Sequence, residues 1–479
     1  MLFNSLSFLI FFPVVTILFF LVQHKYRWAL LLAASCFFYM SFRPVYILIL
    51  AVMITVDYFA AIAIESSTSH QRKKFFLISS IIVNVGMLAF FKYYDFLNDL
   101  ISGLLPLEKG ATLLPVFSIL LPIGLSFHTF QSMSYTLEVY GGNQKAERHF
   151  GIFSLYVMFY PQLVAGPIER PGHLLPQFRL EHKFDYVKVS RGLRRMLWGL
   201  FKKMVIADRL AVYVDPVFDQ PHFYGGFPVV WAGLFYTFQI YCDFSGYCDI
   251  AIGAANVMGF DLTENFRSPF FSKSVSEFWQ RWHISLTSWL FDYVYKPISF
   301  LKRGWGKWGA VYAVMITFSL CGLWHGARWT FVAWGLLNGA ALAVEIIFKR
   351  AKRKEHKKQH SKALHISGII LTFVFVCLAF IVARASTISE AIFMLKSISQ
   401  LSTEKIIGLP IITRFSFIFN FIFIFFLMSA EWFFLNDETK IKKAFVTSVP
   451  FRYSVNIFLL LLILFFGVFE QQAFIYFQF

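Results

Sequence analysis

Leu323-Trp324-His325-Gly326-Ala327-Arg328-Trp329 decides how this chain is read. It joins two apolar runs, Gly309–Leu323 and Trp329–Phe348. An ionisable group at membrane depth is costly, so it is usually buried in protein and used. The first run has 15 residues, about 22 Å of helix at ~1.5 Å per residue. That is short of a bilayer core of ~30 Å. The spacing therefore predicts His325 below the far surface, at a turn between two helices. Gly322 and Gly326 flank it and admit a close approach by backbone or ligand. Non-helical backbone at such depth is tolerated where protein buries it or a cavity is lined.

Composition supports a membrane setting along the whole chain. Of 479 residues, 58% are hydrophobic and 62 are Phe, far above the share of a soluble domain. Clear spanning runs are Leu6–Val22, Tyr46–Ile64, Phe75–Phe91, Trp329–Phe348, Ile366–Val382, the stretch around Phe415–Phe426 and Val455–Phe469. With shorter and broken runs added, roughly eleven to thirteen spans are expected. The N-terminal run reads as a first span, since it lacks the basic start and small-residue cleavage site of a signal peptide. The class is an all-α, polytopic integral membrane protein, read as one domain over residues 1–479.

The formal charge is +17, with 44 Lys+Arg against 27 Asp+Glu. A nucleic-acid partner is set aside because the positives fall in short loops between spans, as the positive-inside bias requires. Lys25 and Arg27, Arg72 to Lys74, the eight Lys/Arg of Lys349–Lys362, and Lys440 to Lys443 mark cytoplasmic loops. Loops near Arg43, Asn98–Lys109 and Ser386–Lys405 carry little net charge and face outward. Both termini then lie outside. Five cysteines have no metal-type spacing and read as apolar core thiols. No metal or bound cofactor is expected.

A second histidine lies in Phe278-Trp279-Gln280-Arg281-Trp282-His283. Glu277–Tyr295 reads as one helix, with Ser276 as a cap. On a 3.6-residue period Trp279, Trp282, His283, Leu286 and Leu290 share a face, and Glu277 pairs with Arg281 at i,i+4. His283 thus points with the tryptophans. Imidazole titrates near neutral pH, which suits proton chemistry. A hydrogen-bonded structural pair is the plainer reading of the same two histidines. Trp279, Trp282 and Trp324 are candidates to line a substrate path, with Arg281 near a donor phosphate. Asn338 and Glu345 share a helix face with Trp334 and are read as tunnel-lining. Arg267 and Lys296 are further phosphate candidates. Asp243, beside Ser245-Gly246, is read as holding a helix break.

Six segments together resemble the membrane-bound O-acyltransferase family. They are Leu121-Pro122-Ile123-Gly124-Leu125-Ser126-Phe127, Tyr160 to Ile168, Tyr241-Cys242-Asp243-Phe244-Ser245-Gly246-Tyr247, Asn265 to Phe270, Phe278 to Trp289, and Gly322 to Gly335. They fall within a core of about residues 115–345, with further spans over 363–479, and are most similar to the bacterial branch that acetylates alginate and other surface polysaccharides. The resemblance implies helices ringing a thinned centre, with a funnel from each side. It implies His325 as catalytic, with His283 across the acyl tunnel or supporting it. It implies a multi-pass protein of the bacterial cytoplasmic membrane and an extracytoplasmic SGNH-type acetyltransferase partner. The chain differs from that branch at Phe291, at Ile298-Ser299-Phe300 and at His128. These differences leave the fold reading untouched and bear on the acceptor.

A thioester such as acetyl-CoA is already activated, and the basic cytoplasmic loops suit an anionic donor. His325 would act as base toward an attacking hydroxyl of a polysaccharide acceptor. A covalent route through Cys321, four residues before His325, is the lesser option because burial disfavours a thiolate. Within the family, D-alanyl transfer to teichoic acid and peptidoglycan O-acetylation stand as alternatives. Outside it, a proton-coupled transporter could use the two histidines as a relay, although the halves show no internal repeat.

Overall fold

Apolar runs fold as helices because lipid leaves no partner for an unpaired backbone N–H or C=O. The computed structural model describes residues 1–105, 113–115, 122–348, 362–400, 411–435, 448–470 and 474–475, and its regular elements are helices. The basic stretches at 349–361 and 436–447, the outward loops at 106–109 and 401–405, and Leu121 lie outside the described residues. Among the described residues seven helices are long and apolar enough to cross a membrane. They are Tyr46–Ser66, His70–Ser102, Lys307–His325, Trp329–Phe348, Ala363–Arg384, Phe417–Leu435 and Val449–Phe466. Leu6–Leu21 is apolar but shorter. The larger number expected from sequence also took in short and broken runs.

The described chain falls into two compact units, residues 1–196 with 248–263, and residues 197–247 with 264–475. In the first, Tyr46–Ser66, His70–Leu88 and Leu125–Tyr140 pack together. Asp57, fully buried, accepts from Ser80 Oγ (2.5 Å) and Asn84 Nδ2 (2.9 Å). A carboxylate in an apolar bundle is tolerable only with such donors. Ser80 Oγ also lies 3.2 Å from Thr136 Oγ1, so one polar cluster ties three helices. Leu125–Tyr140 starts at Gly124, whose φ is +80° and whose added Cβ would lie 2.8 Å from Leu163 O. Only glycine satisfies both demands.

The second unit is organised around Gly226–Val257, a helix of 32 residues and about 48 Å at ~1.5 Å per residue. Its residues up to Tyr247 belong to this unit. The break expected at Asp243 is absent. Asp243 instead accepts from Lys203 Nζ at 2.6 Å, and Lys203 also pairs with Asp208 at 2.8 Å. All three are buried. Lys203 lies in Phe201–Ala207, a seven-residue π-helix, a wide turn that often marks functional or strained positions. Replacing Lys203 by Met leaves two buried carboxylates without their shared cation. The expected loss is about 3–5 kcal/mol, read as a drop in melting temperature of the detergent-solubilised protein. Lys203→Met paired with Asp208→Asn and Asp243→Asn should recover most of that loss.

Candidate active site

Lys307–His325 ends on the imidazole-bearing residue itself. The helix has 19 residues, about 28 Å, so the short run expected from sequence gains a turn and becomes long enough to cross. Trp329–Phe348 begins after three intervening residues, so His325 does sit at the turn between two helices. Glycines set how close those helices come. An added Cβ on Gly322 would lie 2.3 Å from Phe331 O, and one on Gly335 would lie 2.3 Å from Phe318 O. Gly326 is held in the same way, its Cβ position 2.2 Å from the Phe331 ring. Backbone therefore packs on backbone beside His325, which leaves the imidazole little freedom. His325 is 8% exposed.

His283 is not in the middle of a helix. The chain forms Val275–Arg281, breaks at Trp282 and His283, and resumes as Ile284–Leu290. Its cap is Ser274, whose Oγ accepts from Glu277 N, and not Ser276. At the break His283 takes φ 46° and ψ 52°. Ser268 and His283 are the non-glycine residues with positive φ among the described residues. Such a backbone costs on the order of 1–3 kcal/mol and persists only where the surroundings over-determine it. The surroundings here are residues 265–267, laid alongside the break. Arg267 N donates to Arg281 O (2.9 Å) and Ile284 N to Asn265 O (3.0 Å). Asn265 Oδ1 accepts from Ser285 N (3.0 Å) and Ser285 Oγ (2.7 Å).

The break aims His283 at His325. Their ring centroids are 6.3 Å apart. Trp324 lies 6.1 Å from His283 and 4.8 Å from His325, Phe244 packs 4.8 Å from His283, and Trp334 meets His325 edge-on at 5.1 Å. Of the other expected site residues, Trp279 and Asn338 join this group one step removed. Trp279 Nε1 donates to Asn338 Oδ1 (3.2 Å), Asn338 Nδ2 donates to Trp334 O (2.9 Å), and the two indoles sit 5.7 Å apart. Beside Trp279 an apolar cavity of about 360 Å³ is lined by Trp279, Phe318, Cys321, Leu342 and Glu345 among others. Glu345 also accepts from Val275 N at 2.7 Å, closing the start of the broken helix.

Trp282 and Arg281 part from the histidines. Because the helix breaks, Trp282 turns into an aromatic cluster with Phe278, Phe266 and Phe380. Arg281 pairs with Glu277 at 2.7 Å, as the i,i+4 spacing predicts. Lys296 pairs with Asp292 and Arg267 with Glu264, each on an exposed face. Phe244 and Asn265 are the site residues for which sequence reading gave no role. Both lie in segments singled out there, and Asn265, eighteen residues before His283, carried no local signal of its partnership with Ser285.

The model of the MBOAT, membrane-bound O-acyltransferase family, matches residues 149–389. The chain is 35% identical to the probable alginate O-acetylase AlgI of Pseudomonas aeruginosa, over 86% of this chain and 79% of that protein. It is also 35% identical to the peptidoglycan O-acetyltransferase of Helicobacter pylori, over 78% and 73%. A teichoic acid D-alanyltransferase of Bacillus subtilis is 26% identical over 54% of this chain and 67% of that protein.

Proposed function

Because the chain belongs to the membrane-bound O-acyltransferase family, we propose that it moves an acetyl group from a cytoplasmic thioester to a hydroxyl on the far side of the membrane. The reading rests on one observation, the two histidine rings 6.3 Å apart within a shell of Trp324, Trp334 and Phe244. A shell of that kind excludes water, which protects a thioester from hydrolysis and strengthens every polar contact inside. The acceptor oxygen attacks the acyl carbon while His325 takes its proton. A C–O bond forms, the C–S bond breaks, and the leaving thiolate recovers the proton from the imidazolium. His283, facing the same space, offers an N–H to the oxyanion as it develops.

The acceptor proposed is a cell-surface glycan, reached through an SGNH-type partner outside the cytoplasmic membrane. Equal identity to an alginate O-acetylase and a peptidoglycan O-acetyltransferase supports a sugar hydroxyl in either polymer. D-alanyl transfer draws on a more distant relative, and family membership favours chemistry over a proton-coupled transporter. Purified protein in liposomes, given labelled acetyl-CoA on the face carrying the basic loops, should release CoA and pass label to an acceptor or partner on the other face. Turnover only with a carrier-protein thioester would overturn the acetyl-CoA donor. Label crossing as intact donor would restore the transport reading.

A further inference from the structure

The helix Tyr186–Leu200 crosses Gly226–Val257 on glycine. An added Cβ on Gly192 would lie 2.6 Å from Gly253 O, and one on Gly253 would lie 2.6 Å from Gly192 O. Met196, one turn after Gly192, is buried in the same crossing. Residues up to Met196, with Asp249 and Gly253, belong to the first unit. On a 3.6-residue period, Tyr186 and Leu193 share one flank of this buried stripe, and Lys188, Arg191 and Arg195 share the other. Tyr186 is 66% and Leu193 47% exposed, so the described residues leave the apolar flank largely uncovered. Lys188 and Arg191 are exposed as well. Arg195 pairs with Asp249 at 2.9 Å, and Arg194, between the flanks, donates to Ser190 Oγ at 3.2 Å.

The start of this helix is tied to one end of the apolar helix Leu6–Leu21. Arg27 donates to Val22 O (3.1 Å) and to His182 O (2.5 Å), with its guanidinium over the Phe19 ring. Phe184 meets Phe20 edge-on at 5.6 Å and is itself 64% exposed. Asp185 then caps the helix, its Oδ1 accepting from Val187 N at 2.8 Å. Aromatics exposed at the end of a membrane helix mark the level where hydrocarbon gives way to headgroups. The basic residues of the same corner assign it to the cytoplasmic side.

A helix with an apolar flank, a basic flank and a third face held by protein fits a bilayer surface. A soluble anionic partner would need the cations but would leave Phe184, Tyr186 and Leu193 in water. We infer that Tyr186–Leu200 docks on the cytoplasmic leaflet, with Phe184, Tyr186 and Leu193 among the acyl chains and Lys188, Arg191 and Arg194 on the headgroups of anionic phospholipid. This surface stands apart from the acyltransferase reading, and the histidine site takes no part in it.

The test uses the full chain in liposomes, its five cysteines replaced by alanine and a bimane probe placed on Tyr186→Cys. Lipid with bromine on its acyl chains quenches the probe on contact. Brominated phosphatidylglycerol should quench more strongly than brominated phosphatidylcholine at equal mole fraction. Arg191→Gln should lower that preference on the order of fivefold, the worth of one basic side chain at an anionic surface. Lys188→Gln, Arg191→Gln and Arg194→Gln together should bring it to parity, and high salt should weaken it in the wild type. Quenching by neither lipid puts the flank in water and overturns the inference. Equal quenching by both in the wild type leaves a bilayer contact without charge recognition and overturns the anionic headgroup. A probe signal that soluble CoA changes in neutral liposomes, and that the triple substitution abolishes, overturns it in favour of a soluble anion.

A second measurement keeps the native cysteines. Native mass spectrometry of the wild-type chain should show phosphatidylglycerol retained over phosphatidylcholine. The triple Gln variant should lose that excess several-fold while keeping the wild-type melting temperature in neutral lipid. Equal retention by the two proteins overturns the inference whatever reaction the histidines prove to carry.

Discussion

His325→Ala should abolish acetyl transfer without unfolding the protein. A positioned general base contributes about 100- to 10,000-fold, so the residual rate should fall to about 1% of wild type or less. The fold should survive because the structure around the residue is held by backbone. Gly326 N bonds to Gly322 O at 3.3 Å, and the approach of Gly322 and Gly335 to the neighbouring helix involves no imidazole atom. Losing the ring costs its packing on Trp334 and Trp324, which lowers the melting temperature by a few degrees without preventing folding. The measurement is CoA release in liposomes beside a thermal melt and gel filtration of the same preparation. A folded variant that keeps a third or more of the wild-type rate would remove His325 from the chemistry.

The His325 turn was legible because its signals are local. Two apolar runs, a polar interruption and two glycines all lie within forty residues, and Trp329–Phe348 has the bounds that its hydropathy predicts. The His283 break was not legible because its cause is distant. Trp279, Trp282 and Leu286 have helical spacing, and nothing between Glu277 and Tyr295 is a proline or glycine. What breaks the helix is the segment 265–267, bonding to Arg281 O, Ile284 N and Ser285. Periodicity places side chains on faces only while the helix runs on. So Trp279 stayed near the site, while Trp282, one turn later, rotated away from it. Asp243 shows the same limit in reverse. Beside Ser245-Gly246 it looked like the mark of a helix break, yet its partner is Lys203, forty residues earlier, and the helix continues. The segments that resemble a family carried the site as a set, but the geometry inside them depended on partners that no local pattern reveals.

Asn and Gly at position 283 should separate what the backbone needs from what the reaction needs. His283 sits at φ 46°, where a residue with a Cβ pays roughly 1–2 kcal/mol that glycine does not. Asn tolerates the left-handed region better than other side chains do. Both His283→Gly and His283→Asn should therefore fold at least as well as His283→Ala, since neither adds strain and the bonds from Asn265 and Arg267 involve backbone and Ser285 only. Activity should follow a different order. Loss of one oxyanion donor costs about 100- to 1,000-fold in kcat, so Gly and Ala should fall by that amount together. Asn keeps an N–H donor on a shorter arm and should retain more turnover than either. If His283 is present only to hold the break, the order follows stability, and glycine, free of the strain, becomes the best of the three. Melting temperatures and kcat from the same samples decide between the two orders. A Gly variant as active as wild type would leave His283 a structural residue and His325 to act without it.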